Sequence, residues 1–92
     1  MKKQFINEIT KALEEKYSIN LIVSIEFPTI CLQNCHTLEV YEVTETETTI
    51  DIDDGEMGFK FGKNYTEVLF DEYENEYTFK YENGVVISIT II

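Results

Sequence analysis

Cys31, Cys35 and His36 lie within a few residues of one another, and thiols beside an imidazole are the ingredients of a zinc site or a thiolate nucleophile. The chain holds only two Cys and one His, so a closed tetrahedral zinc site would have to recruit a carboxylate such as Glu26 or Glu39. A nucleophile needs a base aimed at it, and adjacent residues such as Cys35 and His36 seldom point at each other. The spacing also permits a Cys31–Cys35 disulfide, but a reducing cell interior favours small, half-buried thiols. The cluster reads as structural, with no metal, cofactor or catalytic residue expected.

Other fragments of motif fail on chemistry. Asp51, Asp53, Asp54 and Glu56 surround Gly55 like part of a calcium loop, yet Phe61 stands where the closing bidentate carboxylate is needed. Gly58 to Lys63 carries the glycines of a phosphate loop, but it is too short, is followed by Asn64 instead of Ser or Thr, and alternates like a strand. Asn64-Tyr65-Thr66 is a glycosylation acceptor only in a secreted protein. Carboxylate pairs abound, but acid catalysis by a pair requires one member raised in an apolar cleft, and acids on a wet face meet neither condition. The reading is a protein that is not an enzyme.

Charge remains. Between Glu39 and Glu82 there are 14 acidic residues against three lysines, Lys60, Lys63 and Lys80, so this stretch holds the whole formal net charge of -11. Such a field attracts cationic surfaces and repels nucleic acid and anionic membranes. On a strand near 47–53, Glu47, Asp51 and Asp53 fall on the face opposite Ile50 and Ile52, with same-face neighbours about 6.7 Å apart. Glu72, Glu74 and Glu76 share a parity opposite Tyr73 and Tyr77, and by the same parity Tyr73, Tyr77 and Tyr81 are expected in or near the core. Asp53 and Glu56 would oppose each other across the turn, a like-charge pair that a partner's cation would relieve. Glu47, Asp51, Asp53, Asp54, Glu56, Asp71, Glu72, Glu74 and Glu76 are therefore the candidate partner-binding residues. Duplex DNA carries one charge per about 1.7 Å of axis, so two or three adjacent strands would have to contribute to imitate it. The same acids also keep a half-exposed sheet in solution and block edge pairing.

The elements that must hold these residues follow from periodicity. Phe5, Ile6, Ile9, Leu13 and Tyr17 recur at helical spacing, predicting an amphipathic helix over about 3–16. From Ile19 to Phe27 the period changes to two and Pro28 ends the strand. Thr29 to His36 shows no period and reads as a loop or irregular edge. Candidate strands follow near 37–43, 47–53, 56–61, 65–72, 76–82 and 85–91. A two-residue Asp54-Gly55 turn would set Ile52 against Met57 and Ile50 against Phe59, apolar on apolar. A three-residue Glu82-Asn83-Gly84 loop pairs Tyr81 with Val85, Phe79 with Ile87 and Tyr77 with Ile89. The expected fold is α+β, one N-terminal helix packed on a curved, mainly antiparallel meander of five to seven strands.

Ninety-two residues are expected to form a single domain over 1–92. Hydrophobic residues at 43% place the acidic half among folded chains and not among acidic tails. Met1 to Phe5 has no signal-peptide character and no apolar run is long enough to span a bilayer, so the expected location is cytoplasmic. In charge, size and helix-then-sheet order the chain is similar to small acidic inhibitors of phages and mobile elements, the anti-restriction, anti-CRISPR and uracil-glycosylase-inhibitor proteins. That similarity implies a DNA mimic that occupies the nucleic-acid-binding groove of a basic protein, with no direct nucleic-acid binding and no membrane. Acidic immunity proteins and antitoxins that neutralise a basic nuclease share the same physics. A structural or assembly module is the remaining alternative, with Val85 to Ile92 as an edge and Ile91 and Ile92 pairing with a second copy in a homodimer.

Overall fold

Phe5 and Ile9 lie one turn apart and both are buried, with Ile6, Ala12 and Leu13 half-buried beside them. That stripe defines α1 (Phe5–Glu15), whose backbone starts at Gln4 without a side-chain cap and stops before Lys16. A computed structural model describes residues 4–27, 32–56 and 58–92. Tyr17, the expected last member of the stripe, lies beyond the helix end and is 88% exposed, with its ring edge-on to Tyr41. Burying a large apolar side chain is worth about 1.5–3 kcal/mol, so Phe5 and Ile9 hold the helix more than its weak N-terminus does.

β1 (Ile19–Phe27) buries Ile19, Leu21 and Val23 and turns Asn20, Ile22 and Ser24 the other way. It runs between β2 (Leu32–Val40) and β8 (Val86–Ile91). With β6 (Glu67–Asp71) and β7 (Glu76–Lys80) these strands form a five-stranded antiparallel sheet in the order β2-β1-β8-β7-β6. Inserted between β2 and β6, the strands β3 (Glu42–Glu45), β4 (Thr49–Asp53) and β5 (Gly58–Gly62) form a second sheet with β4 in the centre. The fold is thus α+β as expected, with one helix and a five-stranded antiparallel sheet, and among the described residues three further strands form a second, smaller antiparallel sheet.

Several sequence expectations change. Of the two readings offered for the stretch up to His36, loop or irregular edge, residues 32–36 take the second: they belong to β2, an edge strand paired without interruption from Phe27–Leu32 to Ile19–Val40. An edge strand paired on one side needs no alternation, and Gln33 to Thr37 has none. The β4–β5 turn is longer than two residues, because Asp53 pairs with Gly58, Ile52 with Phe59 and Ile50 with Phe61. The register moves by two positions, which keeps apolar opposite apolar, so parity alone could not distinguish the two. Met57, Pro28 and Cys31 lie outside the described residues. Val86–Ile91, considered as an edge, is the central strand of the larger sheet.

The last hairpin is as expected. Tyr77 pairs with Ile89 and Phe79 with Ile87, Tyr81 N donates to Val85 O at 3.0 Å, and Gly84 takes φ 90°, a left-handed conformation that costs glycine nothing.

One core joins all layers. Phe5 packs edge-on against Phe61, Tyr77 and Phe79, and Phe61 meets Phe79 at 5.1 Å. Ile50 and Ile52 from β4 and Leu21, Val23, Ile87 and Ile89 from the larger sheet complete it. Both sheets turn one face to this core, so their other faces point away from it.

Candidate functional site: two carboxylate pairs

On β4, Ile50 and Ile52 are buried and Asp51 and Asp53 occupy the opposite, partly exposed face. The face continues onto β3, where Thr44 stands opposite Asp51 and Glu42 stands opposite Asp53. On β5 the neighbours are Lys60 beside Asp51 and Gly58 beside Asp53. A Cβ at Gly58 would come within 2.8 Å of Asp51 Oδ1, so the Asp51 side chain would have to shift to admit one. That oxygen is buried and makes no hydrogen bond among the described residues.

The turns hold the other members. Asp53 Oδ1 accepts from Gly55 N at 2.7 Å and Asp54 Oδ1 from Glu56 N at 3.0 Å, so both carboxylates shape the β4–β5 turn. The expected Asp53–Glu56 opposition is replaced by Glu42–Asp53, because the longer turn moves Glu56 out of register. Glu47 is exposed in the β3–β4 turn, off the strand face it was expected to share.

A second acidic group sits on the β6–β7 hairpin. Asp71 and Glu76 are direct cross-strand partners. Glu72 and Glu74 lie in the turn between them, so the expected row of Glu72, Glu74 and Glu76 along one strand is not formed. Tyr73, expected near the core, is 101% exposed at the tip, because parity has no meaning inside a turn. The tip is anchored. Asp71 Oδ1 accepts from Tyr73 N at 2.9 Å and Glu74 N at 3.3 Å, Asn75 Nδ2 donates to Ile91 O at 3.2 Å, and Ile91 N donates to Asn75 O at 3.0 Å. Glu76 Oε2 accepts from Thr90 Oγ1 at 3.2 Å.

The lysines of the acidic half go elsewhere. Lys63 Nζ meets Glu45 Oε2 at 2.7 Å, Lys60 stands in register with Asp51, and Lys80 with Glu67. None is the cross-strand partner of Glu42, Asp53, Asp71 or Glu76. Glu42 was not singled out from sequence; the signal would have been a chain break at Tyr41, where β2 ends and a new strand starts. The nine candidates are therefore split between two sheets that share no ladder, and no single row spans adjacent strands as a duplex imitation was expected to require.

Away from the acids, little is arranged for chemistry. Cys35 and His36 are consecutive on β2 and both exposed, so their side chains leave opposite faces and cannot form a nucleophile–base pair. Among the described residues, no three His, Cys, Asp or Glu side chains converge as metal ligands. A cleft of about 370 Å³ beside the start of α1 is lined by Phe5, Ile50, Tyr65, Val68 and Phe79, and its carboxylate, Glu45, is held by Lys63. Glu39 is occupied locally, accepting from Ser18 Oγ and from the Tyr41 hydroxyl. That hydrogen bond, with some burial, holds the Tyr41 proton above the usual tyrosine range. Among the described residues no helix is long and apolar enough to cross a membrane.

No protein-family model, curated protein or solved structure matches the chain.

Proposed function

We propose that this protein is a non-enzymatic inhibitor that acts in the cytoplasm by docking its carboxylates on the cationic, nucleic-acid-binding groove of a partner protein. The observation that carries this reading is the two directly opposed acidic pairs, Glu42–Asp53 and Asp71–Glu76, none of whose members has a lysine as its cross-strand partner among the described residues. Like charges opposite one another across strands destabilise the fold, by the same few tenths to about 1 kcal/mol that an opposite pair would contribute. A partner's Arg or Lys recovers that cost on binding, so the repulsion stored in the free protein becomes affinity. The β6–β7 tip adds an exposed aromatic ring, Tyr73, flanked by Glu72 and Glu74 on a turn whose backbone is held by Asp71 and Asn75. A ring among carboxylates suits a guanidinium, which stacks on the face and pairs with the acids. Because the tip is fixed before binding, little ordering cost opposes capture.

The test has two stages. Proteins retained from the source cells and released by salt are identified by mass spectrometry, and the purified partner is then titrated with this protein in the presence of duplex DNA. Affinity should fall steeply with ionic strength, duplex DNA should compete, and Glu72→Lys with Glu74→Lys should weaken binding far more than Glu14→Lys on the helix. A partner that holds DNA and this protein together, or whose affinity ignores salt, sinks the reading.

A further inference from the structure

Among the described residues four strands have an open ladder side: β2 and β6 in the larger sheet, β3 and β5 in the smaller. Three of them are blunted in the ways that prevent edge-to-edge association. β3 has four residues including Glu42 and Glu45, β5 has five with a glycine at each end and Lys60 in the middle, and β6 has five bracketed by Glu67 and Asp71. β2 differs. It is nine residues long, and from Leu32 to Leu38 it holds no acid, lysine, glycine or proline.

The main-chain groups that β2 leaves unused follow from the ladder. Ile92 N donates to Asn20 O at 2.9 Å, so Asn20 directs its main-chain groups to the β8 side. Alternation then directs Leu21 and Val23 to β2, where they pair with Leu38 and His36. The intervening residues, Cys35 and Thr37, with Gln33 in the same phase, turn their N–H and C=O groups to the open side.

We infer that this edge is where two copies of the chain associate, antiparallel about a two-fold axis at Cys35, joining two five-stranded sheets into one. Charge selects a second copy. Molecules that each carry a net -11 repel least where two uncharged stretches meet, and Leu32–Leu38 is such a stretch, the one acid of β2, Glu39, lying beyond it near the strand end. The segment is also self-complementary about that axis: Leu32 falls opposite Leu38 of the second copy, Gln33 opposite Thr37 and Asn34 opposite His36. In this register the outward groups of Gln33, Cys35 and Thr37 bond one another. The acidic hairpin lies on β6, at the far edge of the sheet. The dimer therefore presents two such hairpins about 43 Å apart, at the usual strand spacing. This dimer does not depend on the docking reading.

Sedimentation velocity over a concentration series tests it. Wild type should sediment as a dimer, more completely at higher salt, the reverse of the salt response expected for capture of a basic partner. Thr37→Pro removes an outward N–H without touching the β1 ladder, and Cys35→Glu opposes two carboxylates on the axis; both should sediment as monomers with an unchanged far-ultraviolet circular dichroism spectrum. Directly paired strand residues have Cα atoms about 5.5 Å apart, within disulfide range. Diamide, reduced as it oxidises two thiols to one disulfide, should therefore give a covalent dimer of the Cys31→Ser variant through Cys35. A wild type that is monomeric throughout, or a dimer indifferent to both substitutions, overturns the inference. A dimer that both substitutions abolish but diamide cannot link overturns the axis at Cys35.

Discussion

Glu42 on β3 and Asp53 on β4 stand directly opposite each other, and neither has a lysine as cross-strand partner. Asp53 commits one oxygen to the Gly55 amide, which leaves Glu42 as the member whose charge serves the fold least.

Glu42→Gln should raise stability by a few tenths to about 1 kcal/mol and at the same time weaken capture of the cationic partner. The denaturation midpoint of the wild type should climb from low to moderate salt, and that climb should be smaller in the variant. Urea unfolding at two ionic strengths decides it; a Glu42→Gln protein less stable than wild type would mean that the carboxylate has a favourable partner in the fold.

Asn75 closes the acidic hairpin with φ 53° and a side-chain bond to Ile91 O. Asn75→Ala forfeits the bond and strains the backbone, so a loss of about 1–2 kcal/mol is expected, with a smaller loss for Asn75→Gly, which accepts the dihedral. Hydrogen exchange at Tyr73 and Glu74 should accelerate in both. Equal stability of Ala and Gly variants would show that the left-handed backbone contributes nothing.

Tyr77 is 1% exposed and its hydroxyl has no hydrogen-bond partner among the described residues. Burial, aided by the charge of Glu8, pushes its pKa up to about 12 from 10.0. The unfolded tyrosine loses its proton first, so the contribution is intact below pH 10 and is lost as pH rises towards about 12. Burial raises Tyr81 as well, and hydrogen bonding to Glu39 raises Tyr41, so the readout is a difference. Tyr77→Phe should be at least as stable as wild type at neutral pH, because an unpaired buried hydroxyl is removed. Its alkaline decline should be shallower. A large loss at neutral pH would mean the hydroxyl does have a partner.

Local periodicity made α1 and β1 legible, since Phe5, Ile9, Leu21 and Val23 repeat at the spacing of their element. The β7–β8 hairpin was legible too, because Gly84 and the pairing of Tyr77 with Ile89 agree on one loop length. β2 was legible only in part: its residues 37–40 fell in the candidate strand near 37–43, but residues 32–36 were left between a loop and an irregular edge, because their register with β1 is imposed by a neighbour and edge strands need no pattern of their own. The β4–β5 turn escaped because moving a register by two residues preserves every side-chain face.

The acids divide in the same way. Their number and the confinement of their excess over lysine to residues 39–82 are properties of the sequence alone. Which carboxylate faces which was decided by the ladders, because a cross-strand neighbour is set by chain segments meeting in space. Glu42 stands opposite Asp53 because β2 ends at Val40 and a second sheet starts at Glu42, and Tyr73 sits in the turn that Asp71 and Asn75 hold. The composition determined that the surface would be negative, and the tertiary pairing decided which acids stand opposite one another.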